Sequence, residues 1–393
     1  MSTRCHVSTR KGLFTLERAA NGWDVARTSF LGDNVTLAMH DPRSGHLLAA
    51  LNHGHFGVKL QRSTDGGATW HEVPAPKYPD KPEGYTPKTP VEGTPAEWAL
   101  KLVWALAPGG ADEPGVIWCG TLPGGLFRSD DGGESWSINR PLWDDPRREE
   151  WFGGGADHPG IHSVLVDPRD SRHVKVGVSC GGVWTTRDGG ASWEPTATGM
   201  RAEFMPPERQ FEPNIQDPHM VAQCRANPDV LWVQHHNGIF KSVDGAKSWT
   251  EITGVEPSTF GFAVVAHPHD EGTAWFVPAV KDETRYPAGG RVVVTRTRNG
   301  GQTFETLTTG LPQQHAYDLV YRHALDVDET GQQLAFGSTT GALVQRQWRR
   351  FVADGVGASA ADLRRAFRTA ALAAVRVLSV QLPNLHRMLT DRS

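Results

Sequence analysis

The phrase RSTDGGATW at residues 62–70 returns as RSDDGGESW at 128–136, TTRDGGASW at 185–193 and KSVDGAKSW at 241–249. A degenerate fifth copy, TRTRNGGQTF, occupies 295–304, with Phe304 where the others carry tryptophan. The closing aromatics Trp70, Trp136, Trp193, Trp249 and Phe304 are 66, 57, 56 and 55 residues apart. Repetition at this period constrains the fold more than any other feature, because one supersecondary unit cannot bury its apolar faces alone and must stack on its neighbours.

Ahead of each box lies the same kind of passage, as in GIHSVLVDPRDSRHVKVGVSCGGVW before the third. A β-branched run, an Asp-Pro turn, a second run, a glycine turn and a third run predict a meander of about four short strands per unit. Within the box, the carboxylates of Asp65, Asp131, Asp188 and Asp244 are placed to accept N–H groups of the following turn. The adjacent glycines tolerate positive φ. The next Ser or Thr is placed to bond back across the hairpin, and Trp70, Trp136, Trp193 and Trp249 are expected to pack into the sheet beneath. These eight residues therefore read as structural fasteners, since they satisfy one another.

Radial stacking of four-stranded units around a channel makes a β-propeller. The segment RKGLFTLERAANGW at 10–23 matches only the back half of a unit, so the C-terminal part of the chain is expected to supply its missing inner strand. Boxes or remnants ending at 23, 70, 136, 193, 249 and 304, plus a unit begun at 316, predict an all-β, seven-bladed propeller over residues 1–342.

The tail, 343–393, contains no seventh box. Two readings are open. Codons compatible with Leu343 onward, read one nucleotide later, spell a Gly-Gly-Asp-Ser-Trp box and an inner strand, so the tail reads as an out-of-frame translation that leaves the last blade incomplete and the ring unclosed. Alternatively, the alanine-rich, arginine-studded stretch from Ser359 to Leu382 is an amphipathic helix that docks on a partner.

The segments STDGGATW and SDDGGESW resemble the Asp-box, or bacterial neuraminidase repeat, of sialidases, xyloglucanases, sortilin-type receptors and a photosystem II assembly factor. Across residues 5–342 the pattern is most similar to bacterial cytoplasmic proteins labelled sialidase-like or glycosyl hydrolase. The resemblance implies the propeller fold; it does not imply an activity, because this fold carries unrelated functions. A true sialidase would also need an arginine triad, a tyrosine nucleophile and an F/Y-R-I-P stretch, and VSTRKGLF near the N-terminus offers no such stretch.

Net charge is -4 and no basic stripe is interleaved with aromatics, which argues against nucleic acid as a partner. No apolar run suits a signal peptide or a membrane span, and the four cysteines are scattered without metal spacing, so a cytoplasmic monomer with free thiols is expected.

In a propeller the starts of the inner strands and the loops joining second to third strands open on one face. This geometry nominates His162, His219 and His315 from the first position, and His53, His235, His236, Lys281 and Arg285 from the second, as ligand-binding residues. Three long inter-blade insertions, at about 77–100, 139–158 and 200–217, are expected to rim the same face and bring Trp98, Trp151 and Asp217 to it. The main reading is a non-catalytic propeller binding a protein or small polar ligand at this His-rich mouth. The alternative is a glycan-directed hydrolase or lyase, with Asp217 and Glu283 as the catalytic carboxylates. No cofactor is implied, although His162, His219 and one of His235 or His236 form a conceivable metal set; adjacent residues of an extended segment point to opposite sides, so only one of the last two can contribute.

Overall fold

The computed structural model describes residues 2–20, 22–81, 83, 98–154, 156, 158–347 and 376–381. Seven antiparallel sheets are arranged radially, each a meander running from the channel outward. Blade 2 comprises Val35–His40, Leu47–Asn52, Val58–Ser63 and His71–Val73, and blade 3 comprises Leu102–Pro108, Ile117–Leu122, Leu126–Ser129 and Ser137–Ile138. Blade 4 comprises Gly160–Asp167, Asp170–Ser179, Gly182–Thr186 and Glu194–Pro195, and blade 5 comprises Pro218–Gln223, Leu231–His235, Gly238–Ser242 and Thr250–Ile252. Blade 6 is Gly261–Ala266, Ala274–Pro278, Val294–Thr297 and Glu305–Leu307. Blade 7 has three described strands, Leu325–Val327, Gln333–Gly337 and Leu343–Gln347.

Blade 1 is composite. Arg4–Thr9, Gly12–Ala19 and Gly22–Ser29 follow one another, while the innermost strand is Arg376–Gln381, antiparallel to Arg4–Thr9. The innermost strands touch in sequence around the channel, and Arg376–Gln381 contacts those of blades 2 and 7, so the ring closes. A short stretch of the tail thus supplies the strand beside Arg4–Thr9, while blade 7 keeps three described strands. That stretch is extended: RVLSVQ includes the β-branched Val377 and Val380 and pairs with the otherwise unpaired edge of Arg4–Thr9. The remainder of the expected helix lies outside the described residues.

The core lies between blades. Ala105, Val116, Trp118 and Leu126 of blade 3 pack against Val164, Val174, Val176, Val178 and Trp184 of blade 4, all buried. The sheets are therefore largely apolar on both faces, which the continuous run LLAAL at 47–51 reflects.

The boxes clip the blade rims. Ser63 donates to Asp65 Oδ1 (2.8 Å), which also accepts from the N–H groups of Ala68 and Thr69 (both 2.9 Å), while Thr69 Oγ1 donates to Oδ2 (2.7 Å). The hydroxyls of Ser135, Ser192 and Ser248 repeat that last contact with Asp131, Asp188 and Asp244 at 2.5, 2.6 and 2.6 Å. The tryptophans do more than pack on their own sheet. Trp70 Nε1 donates to Ser29 Oγ (3.2 Å), Trp193 Nε1 to Asn139 Oδ1 (2.9 Å) and Trp249 Nε1 to the Thr196 carbonyl (2.8 Å), each partner belonging to the preceding blade or the connection that leaves it. Trp136 packs beside Leu48 of the preceding blade.

The Asp-Pro-Arg turns stitch in the opposite direction. Asp41 holds Arg43, whose guanidinium donates to the carbonyls of Gly110, Glu113 and Val116 in blade 3. Asp167 holds Arg169, which reaches Asp229 in blade 5.

Candidate functional site

The innermost strands share a local irregularity that places the site. The register of each of blades 2 to 6 slips near its start, skipping Thr36, Trp104, His162, His219, and the pair Phe262 and Ala263. A bulge of this kind re-aims a side chain out of the regular alternation. Trp104, His219 and Phe262 are thereby delivered to one cavity of about 320 Å³.

The cavity draws on five blades. Cys180 comes from the second-to-third-strand turn of blade 4, and Asp217, His219 and His236 come from blade 5. Asp282 and Arg285 come from the corresponding loop of blade 6, and Tyr321 and Arg322 precede the innermost strand of blade 7. Two inter-blade insertions add Phe152, Gly154, Ala156 and Phe204. The 3-10 turn Arg322–Ala324 reaches across the channel, where His323 Nε2 donates to the His162 carbonyl of blade 4 (2.6 Å), so the cavity has a floor.

At its base, Asp217 Oδ1 accepts from the Cys180 N–H (3.1 Å) and Ser179 Oγ (3.3 Å). Asp217 Oδ2 faces His219 Nε2 at 3.5 Å and His236 Nδ1 at 3.4 Å. Burial alone would raise the Asp217 carboxyl pKa, but His219, His236 and Arg322 outweigh it and hold the group well below the usual carboxylate range. The His236 imidazole is lowered by burial and raised by Asp217, Asp282 and Glu283, with a net upward shift. His219 Nδ1 donates to the Gly261 carbonyl (2.7 Å), and its ring stacks on Phe262 with centroids 4.6 Å apart and planes at 14°.

Two arginines complete the site. Arg285 donates to Asp282 Oδ1 (2.6 Å) and to the Asp282 carbonyl (2.9 Å). The Arg322 guanidinium lies 4.8 Å from the Trp104 ring centroid and 5.7 Å from that of Phe262. Its Nε is buried without a hydrogen-bond partner among the described residues.

Several nominated residues stand elsewhere. His162 is fully buried, with Nε2 donating to the Pro218 carbonyl (2.7 Å) and Nδ1 against Ser163 Oγ (2.9 Å), so it ties the inner strands of blades 4 and 5 together. His235 is likewise buried; its ring nitrogens face the N–H groups of Asp217 and Asn237, each at 3.0 Å, behind the cavity wall. Only the second member of that histidine pair enters the cavity, because it occupies the hairpin turn rather than the strand.

Glu283 is solvent-exposed and paired with Lys281 (3.2 Å); neither lines the cavity, and Asp282 takes the inward position. His53 and His315 do not line it either, and His315 is exposed at φ +50°. Trp151 is buried on Trp184 and Trp98 packs on Trp143, so the cavity's aromatic walls come from other rings. Arg322 and Tyr321 were missed because the inner-strand start of this unit was placed at His315, whereas the strand begins at Leu325, after the Arg322–Ala324 turn. Their one sequence cue is the position just before an inner strand.

A closed ring of seven sheets clipped by Asp-boxes defines the chain as an Asp-box-repeat β-propeller. Residues 61–72 match the family model for the BNR/Asp-box repeat. The oligoxyloglucan-reducing end-specific xyloglucanase of Emericella nidulans is 29% identical over 203 residues, covering 47% of this chain and 21% of that protein. Among solved structures, the GH74 xyloglucanase of Xanthomonas campestris aligns at TM-score 0.61 and 16% identity, over 90% of this chain and 51% of that one. The GH74 enzyme of Niastella koreensis aligns at TM-score 0.58 and 16% identity, covering 86% and 49%. YCF48 from Cyanidioschyzon merolae aligns at TM-score 0.51 and 14% identity, covering 88% and 92%. The chain thus spans about a fifth of the curated relative and about half of the first of these enzymes. At these identities the structural likeness establishes the fold. Among the described residues, no helix is long and apolar enough to cross a membrane.

Proposed function

We propose that this propeller is a binding module for a small, polar, anionic ligand, taken into the cavity at the channel mouth. The observation that carries the reading is Arg322, which lines an aromatic-walled cavity and whose buried Nε has no hydrogen-bond partner among the described residues. Asp217 offsets part of this charge at a distance, but leaving a buried N–H donor unpaired is costly, and a bidentate carboxylate or similar oxyanion would satisfy it. A volume of about 320 Å³ suits a ligand of monosaccharide size rather than a protein segment. Phe152 and Phe204, more exposed than the buried Trp104 and Phe262, offer surfaces for its apolar face.

The test is a thermal-shift and calorimetry panel of small carboxylates, sugar acids and their neutral counterparts. Acids should stabilise the protein and neutral analogues should not. Arg322→Met should weaken acid binding at least tenfold, whereas equal binding of acid and neutral analogue would refute the reading.

A second reading, glycan hydrolysis, is favoured by the likeness to xyloglucanases and by two carboxylates, Asp217 and Asp282, lining one cavity. Turnover of chromogenic glycosides, abolished by Asp282→Asn, would move the assignment from binding module to enzyme.

A further inference from the structure

We infer that Asp217, His219 and His236 form a three-ligand site for a divalent transition metal, with zinc the best match. Asp217 Oδ2, His219 Nε2 and His236 Nδ1 lie within 4.8 Å of one another, and the two edges through the carboxylate oxygen are 3.5 and 3.4 Å. A tetrahedral ion with ligands at about 2.0 to 2.1 Å has edges of about 3.3 to 3.4 Å. Both edges exceed the roughly 2.7 to 2.9 Å of a charge-assisted hydrogen bond. The imidazoles are therefore spaced as ligands sharing an ion with the carboxylate.

The surroundings of the ligands agree. His219 Nδ1 is committed as a donor to the Gly261 carbonyl at 2.7 Å, which leaves the lone pair on Nε2, and the ring is held flat on Phe262. A backbone acceptor on the far nitrogen is how metal-ligating histidines are usually oriented. Asp217 is fixed through its other oxygen by Ser179 and the Cys180 N–H, and His235 meets its backbone N–H, so Oδ2 is aimed. His236, on a two-residue turn and partly exposed, is the ligand able to close the remaining edge.

All three residues line the cavity, so the fourth position opens into it beside Arg285 and Arg322. Two histidines and one carboxylate with an open position make the ligand set of a reactive or substrate-binding centre rather than a closed structural one. This site does not depend on the proposed anionic ligand. If both exist, the ion and Arg322 are placed to hold one acidic molecule between them.

The experiment uses the full chain, stripped with chelator and titrated with Co²⁺ and Zn²⁺ in separate arms. One equivalent of Co²⁺ should bind with the intense visible absorption of a tetrahedral N/O site, and one equivalent of Zn²⁺ should displace it. His236→Gln should lose the band and weaken Zn²⁺ binding at least a hundredfold, while circular dichroism and a cooperative melt show that the metal-free variant is folded. Lys281→Ala should leave binding intact. Absence of stoichiometric binding at millimolar metal, or binding that survives His236→Gln, overturns the site. Arg322→Met separates the two proposals: it should weaken acid binding at least tenfold and leave the Co²⁺ band in place.

Discussion

The box works because one carboxylate serves several donors, and its cost and benefit can be read residue by residue. Hydrogen bonds from Ser135, Ser129 and the turn N–H groups outweigh burial and hold the Asp131 carboxyl at about 2; Ser192 and Thr186 likewise hold Asp188 at about 2. Because these pKa values are depressed, the stabilisation is present above the ordinary value of 3.8 and is lost as pH falls through about 2. His6 acts at higher pH. Burial, with smaller contributions from His40 and Arg4, lowers its imidazole from 6.5 to about 3. Between those values the unfolded chain holds a proton that the native state does not, so stability should fall with decreasing pH by up to about 1.4 kcal/mol per pH unit. The buried His162, His173 and His235 are shifted in the same direction and add to the slope, so in urea melts from pH 6.5 to 4 His6→Asn should reduce it by up to about 1.4 kcal/mol per pH unit without abolishing it.

Glycine tolerance inside the box is equally specific. At the second box glycine, Gly190 has φ +92° and a Cβ there would lie 2.5 Å from Asn139 Nδ2, whereas blade 5 carries Ala246 at φ +74° in the equivalent place. Gly190→Ala should therefore cost about 1 to 2 kcal/mol from backbone handedness alone, with a further penalty as Asn139 gives up its bond to the Gly190 carbonyl. Chemical denaturation would measure it.

Between elements, the blades are joined by two sets of clips of opposite sense. The box tryptophan reaches back one blade and the Asp-Pro-Arg arginine reaches forward one. Trp249 is buried in the blade 4–5 core and donates to the Thr196 carbonyl. Trp249→Phe should cost about 1 to 3 kcal/mol by orphaning that acceptor, and Trp249→Ala about 3 to 5 kcal/mol. Neither should alter ligand affinity in the native state, since the residue does not line the cavity. A loss of affinity without loss of stability would show that the rim and the mouth are coupled. The same logic separates the bulged starts of the inner strands, which aim side chains, from the regular strand bodies, which only pack.

For the molecule as a whole, closure rests on Arg376–Gln381 lying beside Arg4–Thr9. A chain ended at Gln347 retains the three described strands of blade 7 but exposes the edge of Arg4–Thr9. It should melt at lower temperature and associate in a concentration-dependent way on gel filtration, as unpaired edges do. An unchanged melting temperature would mean that this strand is dispensable and would return weight to the out-of-frame reading of the tail, which sequencing of the coding DNA also tests.

The propeller, its seven blades and its rim boxes were legible in the chain because each rests on local chemistry repeated at a fixed period: turn-forming Asp-Gly-Gly, a returning hydroxyl, an aromatic stop. The face that gathers polar groups was legible too, since meander topology sends every inner-strand start to one side. The choice among those groups was not. One-residue bulges re-aim Trp104, His219 and Phe262, a turn rather than a strand turns His236 inward while His235 stays behind the wall, and a short irregular turn carries Arg322 across the channel. Such displacements of a few ångströms have no period and leave no pattern in composition. They arise only when neighbouring sheets press against one another, which is why the packed ring alone settled which side chains meet.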